Sequence, residues 1–490
     1  TGYASGGVSS SSTASSLMLD AGKTPAGEGP LVQVDGELLI AQDAIVQGDS
    51  RFVVGTGRLQ SQTGSVALDV GSMQSSGQAA AELQAAQQVR VTASEGDLVL
   101  GNVSAQDILL DAPVGRILAA QADRNQLTAS REVDLNGGGA GLGIGASTAQ
   151  PLTVASPTVS ASAEAGNVYL RLVGDEVTVK RLRAPGGVLD VGATGDLLVQ
   201  ADVLAHSLQI QAAKALTFDA ITSTGGSAVL TAGADLSGQS LSTAKDATVT
   251  AGGNLGITTV KAGGNAALVA GGTLGVTTAD AGQDLTLEAV GQVTADTLTA
   301  GRTLSVSSTA GGVQLGQATS GGDTSVSAAQ ALTFDAITST GGSAVLKAGT
   351  DLSGQSLSTP KDATVTAGGN LGITSLMAGG NAVLEAGGDL VVDTLRTTGR
   401  TDATAGGDMS GQTWRVGQGL TAAMTDGRFG TLQADDGDIV LNARRDLTLG
   451  VVRVNGADHG LTARAGRDVR ALDIRSAGFV DMFAGNTLSV

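Results

Sequence analysis

Residues 251–272 read AGGNLGITTVKAGGNAALVAGG, and this stretch decides the fold because nearly all of it returns later in the chain. It closes a segment, 215–272, that recurs at 331–388 with few substitutions, such as Lys347 in place of Thr231. The two copies are offset by six units of nearly equal length, and Gly263, Gly282 and Gly301 recur at the period of one unit. Self-similarity at this period predicts a solenoid, in which each repeat forms one turn, or rung, stacked on the previous one.

Each repeat reads as three short strands separated by turns. Alternation in the first strand predicts that Leu268, Leu287 and Leu384 point inward, since successive side chains of a strand face opposite sides. The turn that follows reads Ala-Gly-Gly-Asn/Asp-Leu, as at 251–255 and 367–371. We expect its glycines to supply positive φ and its Asn or Asp side chains to bond the local backbone.

Stacking such repeats predicts an all-β fold, a right-handed parallel β-helix (solenoid) of about 25 rungs, each roughly 19–20 residues long. A single rung cannot bury its apolar face, whereas a stack pairs every strand and closes the interior. Parallel crossovers are right-handed, and a strand spacing of about 4.8 Å gives a rod on the order of 120 Å long.

Regularity divides the predicted solenoid into three parts. These are irregular rungs with loops over 1–204, a regular repeat shaft over 205–400, and rungs with outward arginines over 401–490, all expected to share one core. The irregular part holds six of the seven prolines, and its glycine-rich stretch 137–145 predicts a loop that leaves the shaft. Residues 79–88 suit either a short helix or an ordinary rung, and we favour the rung.

Composition excludes several classes of protein. Among 490 residues, 74 are Gly, none is Cys and aromatic residues are 2 %, so the interior is built from small aliphatic side chains. The net charge of −18 disfavours nucleic acid and anionic membranes as partners. No uninterrupted apolar stretch is long enough to span a bilayer, so no membrane insertion is expected. The chain begins Thr1-Gly2-Tyr3 without Met or a signal peptide, which we interpret as a fragment of a longer protein.

The Ala-Gly-Gly-Asn/Asp-Leu turns resemble the repeats of the filamentous haemagglutinin family of two-partner-secreted exoproteins. So does Ala-Gly-Gly-Asn-Ala at 262–266 and 378–382, and the resemblance covers at least 205–490. It implies a protein that is secreted through an outer-membrane two-partner secretion transporter, stands on the bacterial cell surface and attaches to host cells. The family's secretion domain carries Asn-Pro motifs, and this chain has none, so the transporter would be engaged by a part outside this fragment. An Arg-Gly-Asp tripeptide is also missing, so integrin binding by that motif is not assigned.

The resemblance therefore implies the shaft of an adhesin and virulence factor rather than an enzyme. Its partners would be host-cell surface glycans or receptors. Parallel β-helices also include polysaccharide lyases and hydrolases, so a polysaccharide-active enzyme is the alternative. Such an enzyme needs convergent carboxylates in an outer groove with aromatic residues, and no such pattern is visible.

No catalytic, metal or cofactor site is predicted. Asp435, Asp436 and Asp438 lack the alternating spacing of a calcium loop, which favours a solvated turn. His206 and His459 are far apart in sequence and form no triad or metal-ligand pattern.

One patterned surface carries a binding hypothesis. Aligning the third strand of successive repeats puts Leu395, Trp414, Leu432, Val452 and Ile474 inward, so Trp414 is favoured as core rather than as a sugar-stacking platform. The following residues form an outward column, hereafter the Arg column: Arg396, Arg415, Gln433, Arg453 and Arg475. Thr299, Thr338 and Ser358 continue it in earlier repeats.

Arginines spaced by one rung suit a sulfated or sialylated glycan, because guanidinium groups bind such anions in a directed way. Arg444 and Arg464 are added to these candidates as replacements of the first turn glycine. The alternative, which we favour, is a solvated face on which arginines offset stacked aspartates such as Asp446 and Asp468. A second basic set in weaker register comprises Arg171, Lys180, Arg181 and Arg183.

Overall fold

The computed structural model describes residues 15–20, 31–76, 82–121, 126–138, 143–200 and 202–490. Within these ranges the chain is built from β-strands and turns and contains no helix. It divides into two compact units, Thr1–Gly252 and Gly253–Val490, called unit 1 and unit 2. The three-part division made from sequence regularity stays a prediction.

The strands of unit 1 vary widely in length. They are β1 Ser16–Asp20, β2 Leu31–Val34, β3 Glu37–Ile40, β4 Asp43–Gln47, β5 Arg51–Val54, β6 Arg58–Ser61, β7 Val66–Val70, β8 Ser72–Ser75, β9 Glu82–Ala85, β10 Gln88–Ala93, β11 Leu98–Leu100, β12 Asn102–Ala112, β13 Ile117–Ala119, β14 Gln126–Gly137, β15 Leu152–Ala155, β16 Thr158–Ala163, β17 Val168–Leu172, β18 Glu176–Ala193, β19 Asp196–Val199, β20 Val203–Ala212, β21 Leu216–Ser223, β22 Ala228–Ala232, β23 Leu236–Thr243 and β24 Ala247–Ala251.

The strands of unit 2 mostly alternate between a longer and a shorter type. They are β25 Leu255–Ala262, β26 Ala266–Ala270, β27 Leu274–Ala281, β28 Leu285–Ala289, β29 Val293–Ala300, β30 Leu304–Ser308, β31 Val313–Ser320, β32 Thr324–Ala328, β33 Leu332–Ser339, β34 Ala344–Ala348, β35 Leu352–Thr359, β36 Ala363–Ala367, β37 Leu371–Ala378, β38 Ala382–Ala386, β39 Leu390–Thr397, β40 Arg400–Ala405, β41 Met409–Val416, β42 Gly419–Met424, β43 Gly427–Ala434, β44 Ile439–Ala443, β45 Leu447–Val454, β46 Leu461–Ala465, β47 Asp468–Ser476, β48 Val480–Ala484 and β49 Thr487–Ser489.

Strand pairing makes each unit a parallel β-solenoid. In unit 2 each strand from β25 to β47 pairs in parallel with the second strand after it, so that Leu255 lies opposite Leu274 of the next repeat. The step along the chain is longer where Leu447 lies opposite Val469, because the intervening rung has a longer loop. The predicted all-β solenoid fold is confirmed, and its right-handed winding stays a prediction.

The interior is a narrow column of aliphatic side chains. Leu268, Leu287 and Leu384 are 0 % exposed, as the alternation predicts. Their outward neighbours Glu288 and Glu385 are exposed. Each inward residue stacks on the equivalent residue of the next rung, so the core continues from rung to rung and needs little aromatic bulk.

The number of strands per rung differs from the prediction. Early rungs of unit 1 have three separate strands, and β2, β5, β8, β11 and β13 form a sheet of their own. In unit 2 the second and third strands are joined into one longer strand. That strand bends at a corner where two successive residues, such as Thr258 and Thr259, are both unburied and the register skips one position. The prediction of three strands per rung is therefore wrong for unit 2, because the chain changes direction at this corner within one strand and not at a turn between two strands.

The turn glycines have a different role from the one expected. Among the described glycines only Gly48 and Gly145 have positive φ, so the Ala-Gly-Gly turns do not require it. A Cβ on Gly368 would lie 2.2 Å from the Gly349 carbonyl oxygen of the rung before, and one on Gly387 would lie 2.1 Å from that of Gly368. Glycine is needed there because the stacked turns approach each other too closely for a side chain.

The Asn and Asp residues of these turns bond the next rung rather than their own turn. The Oδ1 atom of Asn370 accepts the Asp389 amide at 2.9 Å, and that of Asp389 accepts the Asp408 amide at 2.8 Å. The same bond recurs in successive rungs, and we call these residues the Asx ladder: Asp351, Asn370, Asp389, Asp408, Asp426, Asp446 and Asp468. It satisfies backbone donors that the turns leave outside the sheets.

Two local expectations for unit 1 fall partly outside the described residues. Of the stretch 79–88, residues 82–85 form β9 and residue 88 begins β10, so the described part is an ordinary rung. Of the predicted loop 137–145, Gly137 ends β14 and Ile144 bridges in parallel to Val168, while 139–142 lie outside the described ranges. No helix that could cross a membrane occurs in the part of the chain that the structure describes.

Candidate functional site

The predicted Arg column exists in the structure, in the register that the sequence indicates. Strands β39, β41, β43, β45 and β47 place its members directly opposite one another, one per rung: Arg396, Arg415, Gln433, Arg453 and Arg475. Met377, Ser358, Thr338, Thr319 and Thr299 continue it through the preceding rungs. With about 4.8 Å between strands, Arg396 and Arg475 are separated by four steps, roughly 19 Å.

The residue before each column member anchors the column to the core. Leu395, Trp414, Leu432 and Val452 are at most 1 % exposed, whereas Ile474 in the last rungs is only half-buried. Trp414 donates its Nε1 hydrogen to the Val392 carbonyl at 2.7 Å and meets the Phe429 ring edge-on at 5.1 Å. The prediction that Trp414 belongs to the core is confirmed, and the strand that carries the arginines is thereby fixed in place.

The column arginines divide into paired and free cations. Arg415 contacts Asp435 through both Nε and Nη2, each 3.1 Å from Oδ2, and Arg475 pairs with Asp473 at 3.0 Å. Arg396 and Arg453 are exposed and have no ion pair or side-chain hydrogen bond within the described ranges. The solvated-face interpretation accounts for Arg415 and Arg475, whereas Arg396 and Arg453 keep their full hydrogen-bonding capacity for a ligand.

Arg444 and Arg464 lie elsewhere, and the prediction for Arg464 is wrong. Arg444 follows β44 at the first turn position, which Gly466 occupies one rung later. Arg464 lies inside β46 opposite Asn442, and its Nη2 is 3.3 Å from Asp481. The lengthened loop 455–460 shifts the register, so that the Ala-Arg of 463–464 does not align with that of 443–444.

The later aspartates of the Asx ladder, from Asp408 to Asp468, have cations of their own. Arg445 contacts Asp426 through Nε at 3.2 Å, and Arg467 contacts Asp446 through Nε at 2.8 Å. The hydrogen bond from Arg467 lowers the pKa of Asp446. Burial raises the pKa of Asp426, but the Asp446 amide and Arg445 outweigh it, so that this pKa is lowered too. Asp446 is therefore offset from within the turns and not by the Arg column.

The second basic set is mostly neutralised. Lys180 lies 3.6 Å from Glu132, Arg183 lies 3.7 Å from Glu164, and Arg181 pairs with Asp134. Burial raises the pKa of Asp134 more than Arg181 lowers it. Arg171 is the exception, since its guanidinium has no partner among the described residues.

Sequence reasoning missed the contacts of His459. Its Nδ1 lies 3.4 Å from Asp438 and its Nε2 lies 3.5 Å from Asp436, because loops 435–438 and 455–460 stack in successive rungs. Asp438 also accepts the Gly460 amide at 2.8 Å, which holds the two loops together. In the sequence, the separation of about one rung between His459 and these aspartates is the feature that could have indicated the contact. Within the described ranges no group of three His, Cys, Asp or Glu side chains could hold a metal ion.

Sequence reasoning also missed an acidic groove in unit 2. It has a volume of about 580 Å³ and runs across the corners of β29, β31, β33, β35, β37 and β39. Asp296, Asp335 and Asp393 line it, and Gln355 donates to Asp335 at 3.1 Å. The aromatic residue at this groove is Phe334, which lies in its floor and is 4 % exposed.

Comparison with known proteins adds no identity. No protein-family model, curated protein or solved structure matches this chain. The Arg column and the acidic groove are extended surface features of unit 2 whose chemistry suits a ligand.

Proposed function

We propose that this chain is a β-solenoid segment of a secreted or surface-bound bacterial adhesin, with weak contact to anionic host glycans through the Arg column. The repeat turns that resemble the filamentous haemagglutinin family support the adhesin class. Export would use an outer-membrane two-partner secretion transporter, engaged by another part of the protein.

The observation that carries the glycan contact is the pair of free cations in an ordered column. Arg396 and Arg453 are three rungs apart, about 14 Å, on rigid strands whose preceding residues are buried. An extended polyanion can meet both at once and exchange with the paired Arg415 between them. Each contact alone is weak, and several on one chain reinforce one another by raising the local concentration of the next.

Heparin retention tests this proposal. Replacing both free cations, Arg396→Ser with Arg453→Ser, should lower the salt concentration that elutes the protein from heparin, because charge-assisted contacts are lost. Lys347→Ser with Lys361→Ser is the matched control, since both lysines are exposed cations of unit 2 outside the column. If both double variants lowered the eluting salt concentration equally, the effect would come from net charge alone. That result would contradict a specific role of the Arg column.

The acidic groove favours a second candidate, a polysaccharide lyase or hydrolase. Carboxylates in a long polar groove are the groups that such chemistry uses as acid, base or nucleophile. Asp296 and Asp335 lie two rungs apart, with Gly316 between them at the corner. Release of reducing ends or unsaturated sugars, abolished by Asp335→Asn, would establish this candidate in place of the adhesin.

A further inference from the structure

Unit 1 has a cleft of about 540 Å³ on the outer face of β17, β18 and β20. This volume falls in the range of roughly 300–1,000 Å³ that is usual for small-ligand sites. Its floor is a regular array of outward side chains. Tyr169, Asp190 and Gln209 lie opposite one another in three successive strands, and Arg171, Gly192 and Gln211 form the adjacent row.

Gly192 opens this floor. It occupies an outward position of β18 at which a Cβ would meet no atom within 4 Å, so the space above it is empty. Arg171 stands on one side of this gap and Gln211 on the other. A glycine inside a strand, where neither a turn nor close packing requires it, often marks a place where a ligand approaches the backbone.

A turn at 145–151 forms one wall of the cleft. Gly145 has a φ of 75°, and a Cβ there would lie 2.4 Å from the Tyr169 carbonyl oxygen, so glycine is required for the turn to pack against β17. The Ala146 amide donates to the Gln150 carbonyl at 3.0 Å, and the Gln150 amide donates to the Ser147 carbonyl at 3.0 Å. These bonds hold Thr148 and Pro151 at the edge of the cleft.

Most polar side chains of the cleft have no partners within the described part of the protein, whereas the Thr194 hydroxyl is hydrogen-bonded to the Gly174 backbone. Arg171, Asp190, Gln209, Gln211 and the Tyr169 hydroxyl form no side-chain hydrogen bond or ion pair there. Arg171 and Asp190 carry opposite charges on neighbouring strands, yet they do not pair across the gap. The neighbouring basic side chains Lys180, Arg181 and Arg183 do pair with carboxylates.

We propose that this cleft binds a carboxylate-bearing pyranose sugar. Arg171 would bind the carboxylate, for which a guanidinium offers two parallel donors. Asp190, Gln209 and Gln211 supply acceptors and donors for ring hydroxyls, and the half-buried Tyr169 ring gives the apolar face of the sugar a surface to cover. The cleft lies in unit 1 and does not depend on the Arg column.

Ligand-observed NMR titration of the full chain tests the proposal with three methyl glycosides. These are β-glucuronide, α-N-acetylneuraminate and the neutral β-glucoside. One or both acidic sugars should bind, roughly tenfold or more tightly than the glucoside, because a charge-assisted contact is gained. The stronger of the two acids identifies the source as a hexuronic or a sialic acid. Equal binding of acidic and neutral sugars, or binding of none, would overturn the proposal.

Two variants locate the site. Arg171→Gln should weaken binding of the acidic sugar roughly tenfold or more. Gly192→Val should block the cleft without disturbing β18, because valine has a high propensity for β-strands. Gly256→Val is the matched control, since Gly256 also has no atom within 4 Å of its Cβ position and lies outward in β25 of unit 2. Unchanged binding in Gly192→Val, or equal loss in Gly256→Val, would refute this location. Retained binding in the Arg396→Ser, Arg453→Ser variant separates this test from that of the adhesin proposal.

Discussion

At the scale of single residues, the close stacking of successive rungs decides where glycine is needed. Phe334 lies inward in β33, and its ring extends beneath Gly354 of the next rung. The same pair occurs in unit 1 as Phe218 and Gly238. In both, a Cβ on the glycine would lie 2.1 Å from the ring Cζ atom. The glycine therefore makes room for an aromatic ring in an otherwise aliphatic core.

Gly354→Ala should destabilise unit 2 by about 1–3 kcal/mol, because the ring must leave its position to admit the methyl group. The measurement is denaturant unfolding together with hydrogen exchange of β33 and β35. Gly372→Ala is the control, since the nearest atom to its Cβ position is 4.0 Å away. If both variants lost the same stability, loss of glycine rather than overlap with Phe334 would be the cause.

At the scale of elements, the Asx ladder connects turns that sheet hydrogen bonds do not reach. Asp389→Asn keeps an acceptor for the Asp408 amide and removes one charge from a row of carboxylates, so stability should stay equal or rise slightly. Asp389→Ala loses the acceptor and should cost about 1 kcal/mol. Denaturant midpoints decide between them, and equal effects of Asn and Ala would show that the hydrogen bond contributes nothing.

The carboxylates of the Asx ladder also predict a pH dependence. The pKa of Asp446 is lowered by its bond to Arg467, so folding gains stability above the unfolded pKa, about 3.9, and loses it as pH falls through the folded value. Arg467→Gln should therefore destabilise at pH 7, and this effect should fade below about pH 4. Arg428→Gln, which removes an arginine without a described partner, is the control. A destabilisation by Arg467→Gln that persists unchanged in strong acid would contradict the pairing.

Side-chain orientations that follow from the repeat period alone could be predicted, whereas residue positions that depend on the length of a loop could not. Leu268 and Trp414 point inward because alternation in a strand is strict, and the Arg column follows from the same register. Arg464 was misplaced because the loop at 455–460 lengthens its rung, which no repeat pattern reveals. The turn glycines were identified correctly, but their physical reason lies in the neighbouring rung.

The residues of the candidate cleft could not be grouped from the sequence alone. Tyr169, Asp190 and Gln209 each lie one repeat apart in sequence, and only the register of three strands makes them neighbours. The sequence identifies Arg171 as a basic residue, but it does not show that Arg181 pairs with Asp134 while Arg171 has no carboxylate partner among the described residues. The acidic groove was missed for the same reason, since its aspartates occupy the corner of different rungs.

At the scale of the whole molecule, charge is distributed unevenly. The net charge of −18 coexists with a column of outward arginines and a row of aspartates at different positions on the rungs of unit 2. Because the net negative charge repels an anionic glycan, such a glycan must be bound through local contacts with cationic side chains. An enzyme on the same fold would instead consume its glycan in the acidic groove.

A glycan array read beside a reducing-sugar assay tests the adhesin proposal most directly. The full chain should bind sulfated or carboxylated glycans and should release no reducing ends or unsaturated products from any of them. Binding should fall in the Arg396→Ser, Arg453→Ser variant and persist in Asp335→Asn. Release of reducing ends or unsaturated sugars by the unmodified chain, lost in Asp335→Asn, would contradict the adhesin proposal.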